Sequence, residues 1–148
     1  MNLIPITGKN LIEKWGFFTE GMDRLMKYGK NDENISMIYN DILAGNALLW
    51  AGFIDKKYSG FIVTQVMQAP FEEKRLLIRA IYSNGTLNGD IYTEGFKVLD
   101  DFCRQVGAKK MEFYTPRDKA FERKLKDYNW KSKQVIFERE VSESENLQ

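Results

Sequence analysis

Apolar residues in this chain fall into two kinds of pattern: short runs rich in β-branched and aromatic side chains, and longer stretches with three- and four-residue spacing. The runs are typical of strands, and the spaced stretches are typical of amphipathic helices. Residues 3–6 form the first run, and Pro5 within it indicates an edge strand because proline cannot donate to a strand ladder. The helix that follows is predicted to bend near Gly16 or Gly21, and a second helix is predicted to end at Gly45.

The middle of the chain is predicted to form three consecutive strands joined by turns. A polar turn at residues 55–57 separates the first two strands, and a turn at residues 69–73 separates the second from the third. The third strand is apolar almost throughout, which is typical of a central strand covered on both faces. These strands span residues 47–54, 58–68 and 74–83.

A helix and another strand are predicted next. A polar loop with two glycines leads from the third strand of this group into a helix that opens at Asp90 and ends at Gly107. Because that helix separates the two strands, the strand at residues 110–115 is expected to be parallel to its predecessor. A short helix that ends at Asn129 and a last strand at residues 134–141 complete the pattern.

The order of elements, β-α-α-β-β-β-α-β-α-β, predicts an α/β (α+β) fold. Its sheet is expected to be mixed and largely antiparallel, with about six strands and with helices on both faces. At 148 residues the chain is long enough for one core and short for two, so a single domain is expected over residues 1–141. Residues 142–148, SESENLQ, are acidic and lack an apolar stripe, which predicts a flexible tail.

Composition narrows the possible chemistry. Lys and Arg number 22 against 21 Asp and Glu, and this net charge of +1 argues against a general attraction to nucleic acid or to anionic membranes. The chain has no histidine and one cysteine, Cys103, which excludes a structural zinc site, a Cys-His pair and a Ser-His-Asp triad. No apolar run approaches the ~18 residues of a membrane span and the start of the chain lacks a signal-peptide pattern, so a cytoplasmic protein is expected.

The segment from residue 76 to residue 106 is the most informative part of the chain. An apolar strand, the loop NGTLNG and the start of a helix are the arrangement that directs free backbone N–H groups at an anion. Ser83, Asn84, Gly85 and Thr86 would supply donors and hydroxyls at the point where the strand ends. Asn-Gly is also an ordinary turn signal, so the same residues are compatible with a plain surface loop.

Two further side chains are candidates for chemistry near this loop. Arg79 interrupts an apolar strand, and a buried guanidinium needs either a bound anion or an internal carboxylate as its partner. Tyr114 ends the neighbouring parallel strand, where it would bind an acceptor, donate a proton or form part of the rim of the core.

The whole element order resembles that of the GNAT superfamily of acyl-CoA-dependent N-acyltransferases. The sharpest local similarity lies in DFCRQVGAKKMEFYT followed by AFERKLKDYNW, which resembles the family's long helix, its Gly-Ala-Lys entry to the next strand and its short helix. The resemblance implies that acetyl-CoA is the cofactor, with its pantetheine arm in a gap between the two parallel strands and its pyrophosphate on the loop and helix start. The acceptor would be a primary amine on a small molecule or a protein, and no metal would be needed.

The resemblance assigns candidate roles to individual residues. Tyr114 or Tyr128 would return a proton to the departing thiolate, and Tyr128 is also compatible with a ring packed in the core, which the sequence favours. The cofactor would contact the end of the strand, the loop and the helix start, at Ile81, Tyr82, Ser83, Asn84, Gly85, Thr86, Asn88, Gly89 and Ile91.

The sequence departs from the family's loop signature. The three fixed positions fall on Leu87, Asp90 and Tyr92, and the usual residue types are absent from all of them. A carboxylate at Asp90 would repel a bound phosphate by about 3 kcal/mol at an effective dielectric constant of about 20. A non-catalytic interaction or structural protein with the same fold, such as a phage protein that assembles with itself or a partner, is therefore the alternative hypothesis.

Overall fold

The computed structural model describes residues 2–28, 35–85, 89–113, 123, 125–131, 137 and 139–141, with only the backbone described at residues 28 and 89–92. Three α-helices and five strands lie within residues 2–113. The helices are α1 (Gly8–Tyr28), α2 (Ile35–Leu43) and α3 (Gly89–Val106). The strands are β1 (Asn2–Ile6), β2 (Leu48–Ile54), β3 (Lys57–Met67), β4 (Arg75–Ser83) and β5 (Lys110–Phe113).

The strands form one mixed sheet in the order β1-β2-β3-β4-β5. Neighbours from β1 to β4 are antiparallel, whereas β4 and β5 are parallel. The predicted mixed sheet, the edge position of β1 and the parallel strand after α3 are confirmed. Of the strand predicted at residues 134–141, residues 134–136 and 138 lie outside the described residues, and Phe137 and residues 139–141 are in no strand.

One face of the sheet packs against α1 and α2. The cluster of buried residues on this face includes Phe18 and Met22 from α1, Ile38 from α2, and Phe61 from β3. The helix α1 continues through both glycines at which a bend was predicted. Gly21 instead permits close packing, because a Cβ atom there would lie 2.5 Å from Cδ1 of Tyr82.

The other face packs against α3. The indole Nε1 of Trp50 donates to the buried hydroxyl of Thr64 at 2.9 Å, and the Trp50 ring meets Phe102 edge-on at 5.1 Å. Cys103 is buried on α3, and burial is the main cause of its raised thiol pKa. The prediction of helices on both faces is confirmed, and Cys103 is a packed apolar side chain.

Both glycines predicted to end helices adopt the left-handed conformation that this role requires. The φ angle is 81° at Gly45 and 79° at Gly107. After α3, the amide of Ala108 donates back to the carbonyl of Cys103 at 2.8 Å, which closes the helix end. The helix α3 begins at Gly89, one residue before the predicted Asp90.

The turn between β2 and β3 is tighter than the predicted turn at residues 55–57. Asp55 and Lys56 both have positive φ angles, of 50° and 65°, which is the conformation of a two-residue type I′ hairpin turn. Lys57 already belongs to β3 and pairs with Ile54. This turn places two non-glycine residues in a region that L-amino acids seldom occupy.

Replacing Lys56 by glycine is expected to raise the free energy of unfolding by about 0.5–1 kcal/mol, because glycine adopts the left-handed conformation without steric cost. Urea denaturation measures the change. Lys57→Gly is the matched control, and it should lower stability because glycine weakens a strand interior. Equal effects of the two substitutions would contradict the type I′ assignment.

The chain divides into two compact units, residues 1–116 and 117–148. In the second unit, residues Lys126–Tyr128 form a 3₁₀ turn, and Asn129 ends it in the left-handed conformation with φ 67°. The position predicted for Asn129 is thus confirmed, while the start of its helix lies outside the described residues. The single domain over residues 1–141 stays a prediction. No helix in the described ranges is long and apolar enough to cross a membrane.

Candidate cofactor site

The strand β4 contains a bulge at Arg79. Ile78 pairs with Thr64 and Ala80 with Val63, so Arg79 is the extra residue on β4. Successive side chains of a regular strand point to opposite faces. Here Arg79 reaches α2 and Ala80 belongs to the core shared with α1 and α2, so both side chains lie on the same face.

The described pairing between β4 and β5 reaches Ile78, the residue before the bulge. Arg75 pairs with Lys110, and Ile78 pairs with Phe113, the last described residue of β5. Residues 80–83 continue the ladder with β3, and no described strand pairs with them on the opposite side. Since residues 114–122 lie outside the described residues, the separation of the two parallel strands stays a prediction.

Arg79 has an internal carboxylate as a partner. Its Nη1 donates to Oδ2 of Asp41 at 2.7 Å, and the arginine side chain is 4% exposed. The sequence left open whether Arg79 binds an external anion or forms an internal salt bridge. The structure contains the internal salt bridge, which joins α2 to the bulge.

The loop that follows β4 is hydrogen-bonded to the beginning of β3. The amide of Asn84 donates to the carbonyl of Ser59 at 2.9 Å, and its side-chain amide donates to the carbonyl of Tyr58 at 3.3 Å. The amide of Gly85 donates to the Ser83 hydroxyl at 3.3 Å. The backbone donors of Asn84 and Gly85 are therefore already engaged within the protein.

A recess of about 370 Å³ opens beside this loop. It is lined by the β2–β3 turn region, including Lys57 and Ser59, and by Ser83, Asn84 and Gly85. Its volume falls within the range of about 300–1,000 Å³ that is typical of small-ligand sites. The residues around it offer hydroxyl, amide, carboxylate and ammonium groups, so the recess can accept a polar group.

Tyr58 is a residue of this region that sequence reasoning missed. Its hydroxyl is buried and has no hydrogen-bond partner among the described residues. Burial, followed by the nearby Tyr82 and Glu20, raises the pKa of Tyr58 to about 12, so the hydroxyl stays protonated at neutral pH. Nothing in the sequence distinguishes Tyr58 from any other aromatic residue at the start of a strand.

The structure brings together the predicted site residues at the end of β4, namely Ile81, Tyr82, Ser83, Asn84 and Gly85. The Tyr82 ring itself lies 5.5 Å from that of Phe61 in the core.

The other predicted site residues are placed only in part. Gly89 and Ile91 lie in the first turn of α3. Tyr128 lies in the 3₁₀ turn of the second unit, where it is half-buried. Thr86, Asn88 and Tyr114 lie outside the described residues.

The described residues contain no candidate metal site, because no three of their His, Cys, Asp and Glu side chains lie close enough together to hold an ion. Glu72 and Glu73 lie in the turn between β3 and β4 and are exposed. That turn is at the opposite end of β4 from Ser83.

No protein-family model and no curated protein sequence matches the chain. Solved structures match it over nearly its whole length. An aminoglycoside acetyltransferase from an uncultured soil metagenomic sample, in complex with sisomicin, has a TM-score of 0.70 at 8% identity over 95% of this chain and 96% of that chain.

Two further acetyltransferases have the same architecture. A predicted acetyltransferase from Clostridium acetobutylicum, solved with acetyl-CoA, has a TM-score of 0.68 at 12% identity over 94% of this chain and 95% of that one. The ribosomal-protein-alanine N-acetyltransferase from Brucella melitensis biovar Abortus 2308 has a TM-score of 0.63 at 15% identity over 93% of this chain and 100% of that one. At these identities the similarity establishes a shared fold.

Proposed function

Since the chain has the fold of the GNAT acetyltransferases, we propose that it transfers an acetyl group from acetyl-CoA to a primary amine. The cofactor would lie along the end of β4 and the start of α3. Its contacts would come from residues 81–86 and from Asn88, Gly89 and Ile91.

The observation that supports this proposal most strongly is the bulge at Arg79 on β4. Beyond it, residues 80–83 present extended backbone on the side away from β3, where no described strand pairs with them. Extended backbone binds a linear ligand by the same hydrogen bonds that would pair it with a strand. The pantetheine arm of CoA is linear and contains amide groups, so it suits such an edge.

The phosphates would bind at the start of α3. The amides of Asn84 and Gly85 donate within the protein, so the free donors must come from farther along the chain. The first turn of α3, which begins at Gly89, has backbone N–H groups without helical partners. These groups and the helix dipole favour an anion.

Acetyl-CoA would supply a thioester: the neutral amine would bond to its carbonyl carbon, the carbon–sulfur bond would break, and the nitrogen would lose one proton to solvent. The chain's own contribution would be to orient the two reactants and to supply a proton to the departing thiolate. Tyr114 and Tyr128 are the candidate donors, because a tyrosine hydroxyl can act as a general acid. The acceptor amine would belong to a small molecule or a protein, and the sisomicin-bound neighbour supports the first class.

The alternative is a non-catalytic protein of the same fold that acts through interaction or assembly. The engaged amides of Asn84 and Gly85 favour it, because they remove two donors that a phosphate would otherwise use. Leu87, Asp90 and Tyr92 at the fixed loop positions favour it as well.

Calorimetric titration of the full chain with acetyl-CoA tests the proposal, with thermal unfolding as a second readout. Binding should release or absorb heat and should raise the unfolding midpoint, because a ligand that binds only the folded state stabilises it. Absence of both effects at about millimolar acetyl-CoA would reject cofactor binding.

Asp90→Asn makes the test sharper. If the pyrophosphate lies at the start of α3, removal of this negative charge should tighten acetyl-CoA binding by up to about two decades, the equivalent of about 3 kcal/mol. Asp100→Asn removes the same charge from the same helix about 15 Å away, and it should leave the affinity unchanged. Equal affinities of the two variants would place the phosphates elsewhere.

A further inference from the structure

The ion pair between Asp41 and Arg79 joins α2 to β4 at the bulge. The donor and acceptor are 2.7 Å apart, and the arginine side chain is 4% exposed against 36% for the aspartate. The described ladder with β5 reaches Ile78, and Arg79 is the next residue of β4. Through this ion pair, the position of α2 influences the position of the β4 backbone that is proposed to bind the cofactor.

The stability of α2 does not account for Asp41. The residue lies in the second half of α2, and its carbonyl accepts the amides of Asn46 and Ala47 just after the helix. A carboxylate near the C-terminal end of a helix faces the negative end of the helix dipole. Its position is explained by the contact that it makes with Arg79.

Side-chain directions along β4 show why a bulge is needed. Ile78 lies opposite Thr64, whose hydroxyl accepts from Trp50 on the α3 side of the sheet. Regular alternation from Ile78 would also direct Tyr82 toward α3. The Tyr82 ring instead packs beside Gly21 of α1, so the alternation must be inverted between these two residues.

Arg79 and Ala80 fix where the inversion occurs. Ala80 belongs to the core on the α1 and α2 face, which excludes a bulge later in the strand. Arg79 reaches Asp41 on that same face, which excludes a bulge one residue earlier. Without Asp41, the bulge would lose the ion pair that joins Arg79 to α2, and an earlier position would become accessible.

We infer that Asp41 is a positioning residue, which acts through Arg79 to fix the bulge and thereby the course of β4 from Ala80 to Ser83. This inference rests on the proposed function, because residues 80–83 are the surface offered to the cofactor. If the bulge shifts in part of the population, the apparent dissociation constant rises in inverse proportion to the competent fraction.

The decisive variant removes both charges, as Asp41→Asn together with Arg79→Met. Replacing a buried ion pair by uncharged groups of similar size is often neutral for stability, whereas removing one partner is not. This double variant should keep the wild-type unfolding midpoint. Its dissociation constant for acetyl-CoA should rise about tenfold, which corresponds to a fall of the competent fraction to about one tenth.

The matched control is Arg75→Met together with Glu112→Gln. Those residues form a second β4 ion pair, with Nη1 and Oε1 2.6 Å apart, within the part of β4 that pairs with β5. The control should leave acetyl-CoA affinity unchanged. An equal loss of affinity in both double variants would overturn the inference.

Amide hydrogen exchange tests the inference without any cofactor. In the Asp41 and Arg79 double variant, amides of residues 78–82 should exchange at least about tenfold faster, while those of β1 and α3 keep wild-type rates. Unchanged exchange at residues 78–82 would overturn the inference whatever acetyl-CoA does. If the wild type binds no acetyl-CoA, the proposed function fails, and the exchange comparison still decides the role of Asp41.

A conservative variant covers the case in which the double variant does not fold. Arg79→Lys keeps a positive charge near Asp41 but loses the planar fork of the guanidinium. In this variant the affinity for acetyl-CoA should fall and the amides of residues 78–82 should exchange faster, as in the double variant. Wild-type values of both in Arg79→Lys would overturn the inference.

Discussion

Replacing Gly60 by alanine is expected to lower the free energy of unfolding by about 3 kcal/mol or more. An added Cβ atom would lie 2.0 Å from the carbonyl oxygen of Tyr82 and 2.9 Å from Cα of Ser83. Both atoms belong to the backbone of β4, so no side-chain rotation can relieve the contact. The strands β3 and β4 must move apart where Gly60 pairs with Ser83.

Gly16→Ala is the control for this substitution. Gly16 is exposed in the middle of α1, and an added Cβ atom would have no neighbour within 4 Å. Alanine there should raise the free energy of unfolding by about 1 kcal/mol, because alanine is more favourable than glycine in a helix interior. Urea denaturation of the two variants should give changes of opposite sign, and wild-type stability in Gly60→Ala would contradict the close approach of the strands.

Phe18→Ala is expected to cost about 3–5 kcal/mol of unfolding free energy. The side chain is 1% exposed and lies between α1 and the sheet. Its ring meets those of Tyr58 and Phe61 edge-on, with centroids 5.8 Å and 6.0 Å away. Alanine would remove these contacts and leave a cavity that the surrounding rings cannot fill completely.

The neighbouring residue supplies the matched control. Phe17 is 58% exposed, so Phe17→Ala should cost about 1 kcal/mol or less. Chemical denaturation of both variants measures the difference, and intrinsic fluorescence follows the loss of packing. Similar costs for Phe17 and Phe18 would contradict the orientation of α1 on the sheet.

The sequence was sufficient where local chemistry decides the structure. Gly45 and Gly107 end helices because their left-handed conformation is easily accessible only without a side chain, and Asn129 takes the same conformation after Tyr128. The parallel pairing of β4 and β5 also followed from sequence, because a helix connects them.

The sequence was insufficient where a distant partner decides the structure. The bulge at Arg79 has no signature in the apolar run of β4, because it depends on Asp41, far away along the chain on α2. The sequence pattern also predicted three residues in the β2–β3 turn. The pairing of Ile54 with Lys57 leaves only two residues in this turn.

The candidate site shows the same division. The position of Ser83, Asn84 and Gly85 at the end of β4 was predicted, since strand, polar loop and helix follow one another in the sequence. The engagement of the Asn84 amide was not predicted, because its acceptor is Ser59, which is the extra residue of a second bulge on β3. The backbone donors that remain for a ligand therefore depend on tertiary contacts.

The burial of Cys103 gives this protein an internal reporter. It is the only thiol in the sequence, it is 8% exposed on α3, and its raised pKa keeps it in the unreactive protonated form. A thiol reagent can therefore modify the native chain only during excursions that uncover this helix. The rate of labelling then reports how often this helix is uncovered. A ligand that binds the start of the helix and stabilises it should lower that rate, and no engineered probe is needed.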